Sequence, residues 1–135
     1  MSLLNQVTTH REINPDVSMP PVRMNIQGTD GIGKSTFGAN APDSIFIQAE
    51  DGLSFINAAR FPQANTWEEI MEQVRTLAME EHSYKTVVLD TTDAAAKLGE
   101  AHVCEKNGWS SAADPKAGYG AFYVAEENAW LNLLN

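Results

Sequence analysis

Hydrophobic and polar positions along this chain follow two periods in turn. Val22, Met24 and Ile26 alternate with Arg23, Asn25 and Gln27, which predicts a short strand with one apolar face. Residues 34–40 suit a helix, and Pro42 stops it. Residues 44–49 (SIFIQA) read as a second strand, apolar enough to lie inside a sheet. Pro62 and Asn65 mark a loop, and Thr66 with Glu69 forms a capping box. Ile70, Val74 and Leu77 follow at helical spacing, widened by Met71 and Ala78, which predicts a helix to about Glu81. Residues 86–90 (TVVLD) are nearly continuously apolar, as in a strand covered on both faces. A helix over residues 93–107 is stopped by Gly108. A loop with Pro115, Gly118 and Gly120 leads to a final helix. Strand and helix alternate, so the expected class is α/β with a parallel sheet and right-handed crossovers. Residues 1–20 are polar, lack a clear period and end against Pro20-Pro21. They read as an N-terminal arm to a domain over residues 21–135.

Composition narrows the picture. The chain has 135 residues, 43% of them hydrophobic and 20% charged, which is ordinary globular usage for one domain. No apolar run approaches the roughly 20 residues of a membrane-spanning helix. The N-terminus lacks the basic start and apolar stretch of a secretory signal, so the expected compartment is the cytoplasm. Cys104 is the single cysteine and has no internal disulfide partner; it reads as a small buried helix residue. Cys104 and the three scattered histidines give no zinc spacing. The net charge of −9 argues against a general electrostatic grip on nucleic acid, but not against a local basic groove.

The candidate chemistry begins after the first predicted strand. Gly28-Thr29-Asp30-Gly31-Ile32-Gly33-Lys34-Ser35 fits G-x-x-x-x-G-K-[ST] at every fixed position. Glycines let the backbone curl so that successive N–H groups converge on phosphate oxygens. The following helix adds the positive end of its dipole. Lys34 brings a full charge to the β- and γ-phosphates, and the Ser35 hydroxyl can ligate Mg²⁺. The nucleotide-binding positions extend to Thr36, the next residue of the motif.

A phosphate loop needs a carboxylate for magnesium at the end of a neighbouring strand, and Asp90 supplies one, directly or through water. The alternative for Asp90 is a helix cap, which Thr91, Thr92 or Asp93 can provide instead. Hydrolysis needs a base for the attacking water. Thr91 stands where many ATPases have a glutamate, so the base must come from elsewhere. Glu50, ending the second strand, is the candidate, because strand ends open onto the ligand crevice. Asp51 competes for the role. Thr91 is either a polar sensor of the γ-phosphate or a helix cap.

Taken together, GTDGIGKST, IFIQAEDGL and VVLDTTDA resemble the RecA-like ATPases in content and order. The tracts YKTVVLDTTDA, HVCEKNG and AGYG are similar to a phage nucleotide-binding group of that class, which includes single-strand annealing proteins. The resemblance implies a three-layer phosphate-loop NTPase core. Its roles carry to Glu50 as catalytic glutamate, Asp90 as metal aspartate, Lys34 as phosphate lysine and Ser35 as magnesium hydroxyl. It implies ATP and Mg²⁺ as cofactors, a homo-oligomer through the ATP interface, single-stranded DNA as partner, and the host cytoplasm. RecA-like cores continue with further strands, one bearing a polar γ-phosphate sensor. This chain ends in a helix instead, so a C-terminally incomplete core or an edge covered by a partner is expected.

Lys116, Tyr119 and Phe122 around the AGYG loop are candidates to stack on a base and meet its backbone, against a packing role. The three tryptophans read as packing residues and His102 as a helix surface residue. Two other functions compete with an ATPase. A small-molecule or nucleotide kinase needs clustered cations, whereas the chain has only four scattered arginines. An ATP-binding interaction module without turnover needs no sensor strand. A GTPase is disfavoured by the absence of an N-K-x-D segment, and a partition-type ATPase by Thr29 where it would carry lysine.

Overall fold

The computed structural model describes residues 20–135, so the predicted arm lies outside the described residues except at Pro20. The elements are α1 (Lys34–Ala39), β1 (Ser44–Gln48), β2 (Ala59–Arg60), α2 (Trp67–Met79), β3 (Thr86–Asp90), α3 (Thr92–Asn107) and α4 (Ala121–Leu134), with a 3-10 turn at Pro115–Ala117. The strands form one parallel sheet in the order β2-β1-β3.

Alternation along the strands divides the side chains between two layers. Phe46 and Val88 face α1, which approaches closely because Gly38 carries no side chain. A Cβ there would lie 3.0 Å from Val88 Cγ1 and 3.3 Å from Phe46 Cζ. Ile47, Ala49 and Leu89 face the larger core shared by α2, α3 and α4. In that core Ile70 and Ala95 are completely buried. Trp67 meets Trp130 edge-on with ring centroids 5.0 Å apart, so these two tryptophans are packing residues. Cys104 is buried in α3, and its burial pushes the thiol pKa up.

Local chemistry explains the helix ends. Thr66 caps α2 by accepting from Glu69 N–H, and Glu69 reaches back to accept from Asn65 N–H at 2.6 Å. The predicted box therefore forms, with the return bond one residue earlier than the cap. The helix ends at Met79, slightly before the predicted Glu81. Gly108 ends α3 in the left-handed region at φ 67°, as its position after the helix predicts.

Two expectations about the strands are corrected. Residues 22–26 form no strand: Val22, Met24 and Ile26 are exposed and pair with no other strand among the described residues. Alternation states which residues could share a face, but a strand exists only where a neighbour accepts its backbone hydrogen bonds. The segment is held instead at its side chain, where Arg23 donates to the Leu134 carbonyl at 2.8 Å. Nor is β3 covered on both faces. It is an edge strand among the described residues, with Val87 52% exposed, since an apolar run does not reveal which strand takes the centre. The centre belongs to β1, buried from Ile45 to Gln48. The third strand is β2, a two-residue element that the sequence pattern did not reveal.

Candidate phosphate-binding site

The carboxyl ends of β1 and β3 lie side by side, because Gln48 pairs with Asp90 and Ala49 N–H donates to the Asp90 carbonyl at 3.0 Å. This register sets Glu50 and Asp90-Thr91 at one end of the sheet. The turn from Gly28 to Gly33 arrives at that end through α1, and its residues are exposed. A Cβ at Gly28 would meet Ile32 Cγ2 at 2.9 Å, so the exposed Ile32 side chain would have to shift. Gly33 precedes α1 at φ 100°, a conformation that side-chain-bearing residues rarely adopt.

Lys34 is folded back across the loop. Its ammonium donates to the Gly28 carbonyl at 2.7 Å and the Thr29 carbonyl at 3.0 Å, with the exposed Asp30 carboxylate 3.9 Å away. Ser35, in the first turn of α1, donates its hydroxyl to Asp90 Oδ2 at 2.5 Å. Thr91 donates to Glu50 Oε1 at 2.9 Å while its oxygen accepts from Ala94 N–H at 3.3 Å. Thr91 is thus the cap of α3 and the partner of Glu50 together, where the sequence posed these as alternatives. Asp51 accepts from Ser54 within its own loop and does not join this group.

The geometry therefore brings Lys34, Ser35, Glu50, Asp90 and Thr91 to one end of the sheet. Thr29, Asp30, Gly31 and Ile32 form the exposed loop. Thr36 is exposed, and its carbonyl accepts from the Asn40 side chain at 2.8 Å. One hydroxyl and one carboxylate at the loop are hard oxygen donors, which fit Mg²⁺ held chiefly by water and phosphate. Among the described residues no cluster of three or more His, Cys, Asp or Glu is placed to form an all-protein cage.

Residues 20–135 match the AAA domain family. The chain belongs to this family. An AAA domain is a nucleotide-binding domain of ATPase type. The AAA domain of this chain is similar to the SPbeta prophage-derived uncharacterized protein YorG of Bacillus subtilis (strain 168), at 25% identity over 109 residues. The alignment covers 78% of this chain and 34% of that protein, so the chain spans about a third of the length of its curated relative. No solved structure matches. Among the described residues no helix is long and apolar enough to cross a membrane.

Away from the loop, Phe122 is buried in the core, which removes it from the candidate base-stacking residues, whereas Tyr119 is fully exposed. The turn that precedes Tyr119 is tied by Asp114, a residue the sequence reading passed over. Its carboxylate accepts from the Ser110 N–H at 2.6 Å, the Lys116 N–H at 2.9 Å and the Ser110 hydroxyl at 2.9 Å. Those bonds, the Ser110 amide first, hold its pKa below the ordinary aspartate range. The Asp-Pro pair at 114–115 was the available signal, since Asp is a common cap before a proline-led turn. His102 is half-buried and pairs through Nδ1 with Glu68 rather than standing free on the helix surface.

Proposed function

We propose that this chain is the nucleotide-binding core of a RecA-like ATPase that hydrolyses Mg-ATP in phage DNA recombination or single-strand annealing. The observation that carries the reading is the Ser35 to Asp90 hydrogen bond, 2.5 Å long, beside the phosphate loop. It joins the two oxygen donors that a phosphate-loop enzyme directs at magnesium. Ser35 and Asp90 would hold Mg²⁺, which would supply positive charge against that of the nucleotide phosphates.

In this reading the geometry supports the following roles. Loop N–H groups and the start of α1 bind phosphate oxygens. Lys34 exchanges the Gly28 and Thr29 carbonyls for the β- and γ-phosphates, a move within reach of its flexible stem. Thr91 holds Glu50 Oε1, which orients the carboxylate and leaves Oε2 to take a proton from the attacking water. ATP bound between copies of the chain would supply a homo-oligomer, with single-stranded DNA meeting the loop that carries Lys116 and Tyr119. The host cytoplasm is the setting this reading implies.

Binding of ATP without turnover is the second reading, and the unpaired outer edge of β3 among the described residues favours it. A kinase is supported less. Arg23 and Arg60 are spent on the Leu134 and Leu53 carbonyls, and Arg75 lines a groove between helices. The deciding experiment is Mg-ATP hydrolysis by the purified chain with and without single-stranded DNA, beside Lys34→Ala. The expected result is DNA-stimulated turnover that Lys34→Ala abolishes. Tight ATP binding with no turnover under either condition would replace the ATPase by the binding module.

A further inference from the structure

The face of the sheet opposite α1 carries a second concavity. Where α2 meets α3 the contact is close, because Gly99 has no side chain and its Cβ would stand 3.2 Å from the Trp67 ring. Beside that contact α2, α3 and α4 leave a groove of about 450 Å³. That volume is in the range of small-molecule sites, about 300–1,000 Å³. None of its lining residues belongs to the phosphate loop or the strand ends.

Helical spacing explains its lining. Glu68, Met71 and Arg75 share one face of α2, His102 and Lys106 one face of α3, and Asn128 and Asn132 one face of α4. Arg75 and Lys106 form no ion pair among the described residues. The one carboxylate that lines the groove, Glu68, is already paired with His102. Glu72, three residues before Arg75, lines a different depression beside Phe61. The groove is therefore a locally cationic place on a chain of net charge −9. Both cations line the same groove, so an anion seated in it would be attracted by both. The Arg75 guanidinium suits a phosphate through paired N–H donors, and Lys106 supplies a point charge. Asn128 and Asn132 offer amide donors and acceptors, while Met71 and Val103 give apolar contact to an organic body.

We infer that the groove between α2, α3 and α4 binds a phosphate monoester with an organic body, a ligand of the mononucleotide class, at a site separate from the phosphate loop. Arg75 and Lys106 hold the phosphate, and the asparagines meet the polar edges of the body.

Trp67 lines the groove and touches Trp130, so tryptophan fluorescence reports its occupancy. The experiment titrates AMP, inorganic phosphate and adenosine at constant ionic strength into the Lys34→Ala protein, in which the phosphate loop is disabled. AMP is expected to give a saturable change, weakened about tenfold or more in Arg75→Gln/Lys106→Gln and less in Arg75→Lys. Both substitutions fall on exposed side chains, and circular dichroism checks that the fold is kept. Saturable binding of phosphate alone, lost in the same double variant, would support the anion site with free phosphate as its source. Three results would overturn the inference: no saturable change, equal binding of adenosine and AMP, or AMP binding indifferent to the double variant. Failure here leaves ATP turnover at the loop untouched, so the two readings stand or fall separately.

Discussion

Gly38→Ala tests how tightly α1 must sit on the sheet. The added Cβ would lie 3.0 Å from Val88 Cγ1, 3.3 Å from Val88 Cγ2 and 3.3 Å from Phe46 Cζ. Phe46 is completely buried and cannot retreat. Val88 has both methyls against the position, and a β-branched side chain has few χ1 alternatives. Overpacking of this kind costs about 1–3 kcal/mol. Replacing Gly38, the penultimate residue of α1, by alanine returns at most about 1 kcal/mol in helix propensity. The balance is a loss of about 1 kcal/mol, which lowers Tm by roughly 4 °C for a domain of this size. The alternative to strain is a shift of α1 away from the sheet. That shift would carry Ser35 from Asp90 and lengthen the 2.5 Å bond between them. Thermal unfolding by circular dichroism, with and without Mg-ATP, separates the two responses. Strain alone lowers Tm and leaves the increment due to nucleotide unchanged, whereas displacement of α1 shrinks that increment as well. A Gly38→Ala protein that melts higher than its parent with an unchanged nucleotide increment would refute the close-packing argument.

Three further outcomes are expected. Glu50→Gln should lower kcat about 100-fold or more while ATP affinity changes little, and Asp51→Asn should leave kcat nearly unchanged, read from steady-state turnover beside equilibrium ATP binding. Thr66→Ala removes the cap of α2 and should cost about 1 kcal/mol in urea unfolding, since Glu69 N–H loses its acceptor. Asp114 has a depressed pKa, so its stabilising effect is present above the ordinary aspartate value of about 4 and fades as pH falls through the lower folded value. Asp114→Asn should therefore lower Tm at pH 7 and lose most of that difference near pH 2, measured by melting across the range.

The parts of the fold that were legible are those whose signal is local. Thr66 and Glu69 mark a helix start because a cap is made within four residues, and Gly108 marks a stop because the left-handed turn needs only its own φ. The apolar runs at 44–48 and 86–90 became strands within a residue of expectation. What failed depends on partners distant in sequence. The alternation of Val22, Met24 and Ile26 meets every local requirement of a strand, yet among the described residues nothing accepts its ladder bonds. Conversely, Ala59–Arg60 has no strand pattern and pairs only because β1 presents an open edge to it.

The same distinction separates the readable and unreadable parts of the site. Lys34 and Ser35 were legible because a phosphate loop is a local motif with a mechanical reason for each residue. Asp90 and Glu50 were legible only as strand ends; what sets them together is the parallel register of Gln48 with Asp90. Thr91 was posed as cap or site residue because sequence reasoning assigns one role per side chain. A hydroxyl has a proton to give and lone pairs to receive, and here it uses both at once. The cap therefore fixes the side chain that positions Glu50. Any substitution that keeps the cap but cannot donate, such as Thr91→Asp, should preserve α3 while releasing and repelling the carboxylate. In such a variant the strand end would retain its fold and lose its orientation of Glu50, so stability and turnover would separate at a single atom.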